Sequence, residues 1–148
     1  MRIAPLAALL AMAAFCAGPA AGQFTFGAGV GTGVGSRGGD ASATHATAFL
    51  QFKLPVVPGV RADAIAVKSP AGVGPFALAV SAVLSAPIPL VKPYLIAGWG
   101  SYGLGKNSAV GGWNAGVGVR ASLGVGVFAE IRRHQRIARD LLTVGVTF

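Results

Sequence analysis

From Phe24 onward, apolar side chains recur at every second position, separated by glycine, small polar or charged residues. Phe24, Phe26, Ala28, Val30, Thr32 and Val34 form one row, and Thr25, Gly27, Gly29, Gly31 and Gly33 the other. Successive side chains of a strand point to opposite faces, so this period predicts strands with one apolar face. Ala46, Ala48, Leu50, Phe52 and Leu54 alternate with Thr47, Phe49, Gln51 and Lys53; Val60, Ala62, Ala64 and Ala66 alternate with Arg61 and Asp63. Phe76, Leu78, Val80, Ala82 and Leu84 make the apolar row of a fourth strand. In Tyr94 to Leu104 both rows are greasy, Tyr94, Ile96 and Tyr102 against Leu95, Ala97 and Trp99, and the period leaves the facing open. Ala115 to Leu123, Val125 to Ile131 and Leu142 to Phe148 complete eight strands, an even number. The connections after the second and fourth are proline-stiffened, Pro55 to Gly59 and Pro87 to Pro93, and Gly124 turns the sixth into the seventh. Those after the first, third, fifth and seventh carry most of the charge and are expected to be the longer loops.

Length decides what such a chain does with its apolar face. The greasiest stretch, Phe76 to Ala86, is 11 residues between Pro75 and Pro87, short of the roughly 20 of a membrane-spanning helix but matching the 9 to 11 of a tilted spanning strand. Only helices and closed barrels satisfy every backbone hydrogen bond in lipid. The expected fold is therefore all-β, an eight-stranded antiparallel up-and-down transmembrane barrel without repeat, linker or second domain.

The N-terminus reads differently. Met1-Arg2 is a short basic start, Ile3 to Ala17 is uncharged and rich in Ala and Leu, and Ala20-Ala21-Gly22 places small residues before Gln23. Residues 1–22 are expected to be a cleaved signal peptide and 23–148 the barrel. Cys16, the only cysteine, falls in the removed segment, and Phe15 before it argues against a lipoprotein site. No disulfide or thiol chemistry is expected of the mature chain.

Composition sharpens this picture. Of 148 residues 53% are hydrophobic and 11% charged, with 23 glycines and a formal charge of +8. Mean hydropathy of +0.67 is too high for a soluble nucleic-acid binder despite that charge, and no nucleic-acid partner is expected. Gly100 to Asn107 nearly spells a phosphate-binding loop, but Asn107 stands where Ser or Thr is needed and no helix-forming run follows. Two matches to the dinucleotide fingerprint, at Gly33 and Gly98, lack the strand-loop-helix context. Inward glycines have a simpler use, making room in a narrow barrel for a few bulky or charged lumen side chains.

Three segments resemble the small outer-membrane β-barrel proteins of the OmpA/OmpX type. They are Leu142-x-Val144-x-Val146-x-Phe148 with a terminal Phe, the strand start Pro93-Tyr94-Leu95-Ile96-Ala97-Gly98, and Phe128-Ala129-Glu130-Ile131-Arg132. The resemblance implies an outer-membrane location in a Gram-negative bacterium and both termini in the periplasm. It also implies that the barrel-assembly machinery recognises the terminal aromatic strand, which makes Phe148 the assembly signal.

The candidate chemistry lies in the charges. Arg61, Asp63, Arg120, Glu130 and Arg132, with Lys53, fall on the inward rows of four strands, and an Arg or Lys facing lipid at midplane would cost about 2–4 kcal/mol. A lumen ion-pair network plugging the barrel is expected, with a narrow conducting path as the alternative. Arg133, Arg136 and Arg139, in the basic run from Arg132, belong to an external loop that either faces lipopolysaccharide phosphates or is simply solvated. An enzyme is not expected: a lipid A deacylase-like site would need His-x-Ser, but His45 and His134 are followed two residues on by Thr47 and Arg136. Nor does the chain call for a cofactor or a metal, having two histidines and no cysteine after processing. The function expected is that of a monomeric structural or surface-interaction barrel touching outer-membrane lipid and lipopolysaccharide, not a wide pore. A lipid-modifying enzyme and a narrow channel are the alternatives.

Overall fold

The computed structural model describes residues 23–34, 44–53, 58–69, 72–86, 88–105, 109–123, 125–137 and 140–148. The expected signal peptide, residues 1–22, and Arg139 lie outside them. Eight strands follow in order: β1 Gln23–Val34, β2 Thr44–Lys53, β3 Gly59–Ser69, β4 Gly72–Ser85, β5 Val91–Leu104, β6 Val110–Leu123, β7 Val125–His134 and β8 Asp140–Thr147. Each pairs antiparallel with the next, and β8 returns to β1, closing an up-and-down barrel. Phe148 N donates to Phe26 O at 2.8 Å and Phe26 N to Phe148 O at 3.0 Å, extending the closing ladder beyond β8. Closure leaves no unpaired edge, which is what lipid demands of a sheet.

The two faces follow the period-two rows. Phe26, Val30, Val60, Leu78, Val80, Leu95, Trp99, Val117, Val127 and Val144 point outward and are exposed. Phe49, Arg61, Asp63, Ser81, Asn114, Phe128, Glu130, Arg132 and Thr143 point inward and are buried. An exterior of this kind on a closed barrel is a lipid-facing surface. Aromatic side chains sit toward both ends of it: Phe24 and Phe52 touch at 4.8 Å near the mouth where β1 begins, and Trp99 pairs in register with Trp113 toward the opposite one.

Strand β5, whose facing the period leaves open, turns Tyr94, Ile96 and Tyr102 inward and Leu95, Ala97 and Trp99 outward. Both tyrosine hydroxyls find partners in the lumen, a gain that an outward turn into lipid forfeits. Near its end Phe76 pairs with Leu104 and Ala77 with Tyr102, so Gly103 is an extra residue. Its φ of 80° is the left-handed conformation of a glycine bulge.

The expected difference in loop length holds only at β1–β2, with nine residues; β5–β6 and β7–β8 have five each, no more than β2–β3 and β4–β5. Strands β3 and β4 run on to pair Ser69 with Gly72, so only two residues join them rather than a long loop. A bulge between Ala66 and Lys68 lets the ladder continue past the apolar row that ends at Ala66.

Candidate functional site: the charged lumen

Strands β3 and β7 stand four places apart in a ring of eight, so their inward rows face each other across the barrel. Each contributes a pair of opposite charges two residues apart, Arg61 with Asp63 and Glu130 with Arg132. Both strands run in the same direction, and the order of charge is reversed between them. Arg61 therefore meets Glu130, and Asp63 meets Arg132.

The result is a closed ring of four ion pairs. Arg61 Nη2 lies 2.7 Å from Asp63 Oδ1, Arg61 Nη1 2.8 Å from Glu130 Oε2, Arg132 Nη1 3.0 Å from Asp63 Oδ2 and Arg132 Nη2 2.7 Å from Glu130 Oε1. Nε of Arg61 donates to Asp63 Oδ1 and Nε of Arg132 to Glu130 Oε1, both at 2.8 Å. Every carboxylate oxygen accepts at least one bond, and all four side chains are at most 3% exposed. Two positive and two negative charges cancel. Burial without pairing would cost several kcal/mol per ion, and completeness of pairing is what makes such a cluster tolerable.

The neighbours fix its geometry. Tyr94 OH donates to Glu130 Oε2 at 2.8 Å, and the Arg61 guanidinium lies 3.6 Å from the centre of the Phe49 ring, a cation–π contact. Phe49 in turn meets Phe128 edge to face at 5.4 Å. Gly118 is required beside Tyr94, since a Cβ there would run into the phenol ring and come within 2.9 Å of Ala129 O.

On the side of the ring toward the β7–β8 connection, Tyr102 OH and His134 Nδ1 are 2.9 Å apart, His45 Nε2 and Thr143 Oγ1 2.8 Å, and Ser81 Oγ donates to Asn114 Oδ1 at 3.0 Å. Ile65, Ala77, Tyr102 and Leu141 close this end with an apolar cluster, against which Val67 and Ile137 pack. On the other side the lumen opens into a basin of about 370 Å³, lined among others by Gln51, Lys53, Lys92, Tyr94 and Arg120. Among the described residues the lumen is filled by side chains toward the β7–β8 connection and open where β1 begins.

The expected charge set is thus divided. Arg61, Asp63, Glu130 and Arg132 meet in the ring, whereas Arg120 stands in the basin and donates to Gln51 Oε1 at 2.9 Å instead of to Glu130. Lys53 lines the same basin. The basic run that ends β7 and enters the β7–β8 connection divides by strand parity. Arg132 and His134 are buried inward, Arg133 faces out and pairs with Asp140 at 3.2 Å, and Arg136 Nε donates to Gly111 O at 2.9 Å. Asp140 is thus a third carboxylate on a strand, beyond the two counted for the lumen. The polar pairs of His45, His134, Ser81 and Asn114 join residues at least 32 apart in sequence, and inward parity is their only sequence signal. Among the described residues no three His, Cys, Asp or Glu gather to hold a metal.

No protein-family model matches the chain, and no curated protein sequence does. Solved structures do. The crystal structure of Neisserial surface protein A (NspA) superposes with a TM-score of 0.63 at 16% identity, covering 85% of this chain and 97% of that one. A structure from the de novo design of transmembrane β-barrels gives 0.61 at 14%, covering 84% and 92%. The N-terminal β-barrel domain of Pseudomonas aeruginosa OprF gives 0.57 at 11%, covering 85% and 96%. The likeness spans nearly the full length of each while sequence identity stays low, so what is shared is architecture. The chain has the fold of the small eight-stranded transmembrane β-barrels, the fold its resemblance to OmpA/OmpX-type proteins implies.

Proposed function

We propose that this is a sealed outer-membrane barrel of a Gram-negative bacterium, with a structural or surface-interaction role rather than that of a pore or an enzyme. The observation that carries the reading is the lumen. A neutral ring of four ion pairs crosses it from wall to wall, and an apolar cluster closes one end. A water-filled path needs continuous polar space, and eight strands leave room for little beyond side chains. Against an enzyme, the histidines are engaged by Thr143 and Tyr102, and among the described residues neither is hydrogen-bonded to a serine.

In this reading both termini are periplasmic, which sets the β7–β8 connection outside the cell. Arg136 is exposed there, with Arg133 half exposed beside Asp140, and they and Arg139 would contact lipopolysaccharide phosphates. The barrel-assembly machinery would take the strand ending at Phe148 as its signal, and the barrel would work as a monomer. The test combines location and conduction. The chain should fractionate with outer membranes, migrate faster on SDS gels when unheated, leave lipid A unmodified on expression, and give no channel steps in planar bilayers. Discrete conductance or a changed lipid A mass would overturn the sealed, non-enzymatic reading.

A further inference from the structure

The open basin holds an excess of positive charge among its described side chains. Lys53, Lys92 and Arg120 line it, and no carboxylate side chain is among the described residues that do. Asp63 and Glu130 are committed to Arg61 and Arg132, and Asp140 lies on the outer face at the far end. The sequence of the connections around this mouth, 54–58, 86–90 and 124, contains no charged residue.

The placement is also unfavourable by itself. Lys92 and Arg120 are direct register partners on β5 and β6, both on the inward row, and like charges facing each other across a strand pair repel. Arg120 Nε is shielded from solvent without a hydrogen-bond partner, although Nη2 of the same group is used on Gln51. Lys53 lies two residues along β2 from Gln51, so the three cations converge on one space. Hydroxyls of Thr25, Ser122 and Thr147 line it as well.

A tetrahedral oxyanion answers the convergence of cations and hydroxyls on this space. It neutralises two facing cations at once, accepts from a guanidinium edge and from ammonium groups, and takes hydroxyl donors on its remaining oxygens. We propose that the basin is a binding site for a phosphate group carrying a small substituent of glycerol size, which a space of about 370 Å³ accommodates. A glycerophosphate group reaches such a mouth from two sources, the headgroup of an anionic phospholipid in the adjoining leaflet or a soluble phosphate ester.

The test uses the full chain, folded in an uncharged maltoside detergent so that no headgroup competes. Glycerol phosphate is titrated against sodium chloride at matched ionic strength, following the backbone amides of Lys53, Lys92 and Arg120 by NMR. Saturable shifts are expected with the phosphate ester and not with chloride. Lys53→Gln and Lys92→Gln should each weaken binding by about fivefold, the effect of one removed cation near an anionic headgroup. Lys92→Arg should restore it, and Lys68→Gln, near the far end of β3, should leave it unchanged. Both Lys substitutions are at exposed rim positions, and an unheated gel shift confirms that they fold. Equal responses to the two salts, or equal affinity in the wild type and both Lys→Gln variants, would overturn the site. Bilayers then separate the sources. If the lipid headgroup is the occupant, phosphatidylglycerol blocks the soluble ester while phosphatidylcholine does not; if the ester is soluble, affinity is the same in both.

Discussion

Two arginine-containing regions stand within one narrow lumen, and they solve the problem of charge in opposite ways. At the ring, Arg61 and Arg132 are almost fully buried and every guanidinium edge that faces a carboxylate is used. At the open basin, Arg120 shares its space with two lysines and no carboxylate side chain, and its one side-chain partner is the amide of Gln51. The difference is access to water. A buried cation has to be paired by the protein, whereas a cation at a wet mouth keeps its hydration and is free to take an anion from outside. Substitutions in the two regions should therefore differ in size, in salt dependence and in sign.

The largest effect should come from the ring. Glu130→Ala strips one partner from each of Arg61 and Arg132 and leaves Tyr94 OH without its acceptor. Breaking a buried pair in this way costs about 3–5 kcal/mol, read as a lower urea midpoint for the folded barrel. Glu130→Gln keeps the shape and an acceptor and should lose less. A wild-type midpoint for both would mean that the ring is hydrated and that the two regions do not differ.

Tyr94 links the regions, since its hydroxyl holds Glu130 while the Arg120 guanidinium lies 5.8 Å from the centre of its ring. Tyr94→Phe removes only the hydroxyl, and a hydrogen bond to a charged acceptor is worth about 1.5–3 kcal/mol. Glu130 retains both arginines, so the loss should be smaller than for Glu130→Ala. The same urea titration ranks the two variants, and a Tyr94→Phe loss equal to that of Glu130→Ala would show that the tyrosine, not the arginines, anchors the carboxylate.

Arg120→Gln is next. Its bond to Gln51 is neutral on one side and only partly buried, so the loss should be about 1 kcal/mol. Placed inside the ring, as inward parity alone would have it, Arg120 would cost several times more on removal. Equal losses for Arg120→Gln and Arg132→Gln would restore that five-membered network.

How far this arrangement was legible in the sequence follows from what a period of two can carry. It assigns inward and outward rows in seven strands, because the outward row is apolar and the inward one is mostly small, polar or charged, with bulky apolar exceptions such as Phe49, Ile65, Val83 and Phe128. It fails in β5, where Tyr94, Ile96 and Tyr102 are as greasy as Leu95, Ala97 and Trp99, and where hydroxyl partners on other strands decide the matter. Parity also says nothing of height along the barrel axis. Arg61 meets Glu130 across 69 positions of chain, and only the strand register and the stagger of a closed barrel bring them level while leaving Arg120 nearer the mouth. The serine, asparagine and histidine pairs escaped for the same reason. Lys92 had the clearest unused signal: it shares the parity of Tyr94, so fixing β5 also places that lysine on the inward row beside Arg120.

The smallest effect should carry the opposite sign. Lys92 faces Arg120 across the β5–β6 ladder with no acidic side chain among the described residues around them. Removing its charge in Lys92→Gln relieves a repulsion, and cross-strand pairs of this kind are worth about 0.2–1 kcal/mol. In a phosphate-free, low-salt buffer the variant should unfold at a slightly higher urea concentration than the wild type. The gain should vanish near 1 M salt, where the screening length falls to about 3 Å, whereas the Glu130→Ala loss, inside the barrel, should persist. Glycerol phosphate should reverse the order, stabilising the wild type more than the variant, because an anion binding only the folded barrel adds stability in proportion to its affinity. A loss of stability for Lys92→Gln in the phosphate-free buffer would have the wrong sign for a repulsive pair. It would mean that the protein itself supplies Lys92 with a partner, and the basin would then be governed by the same pairing rule as the ring.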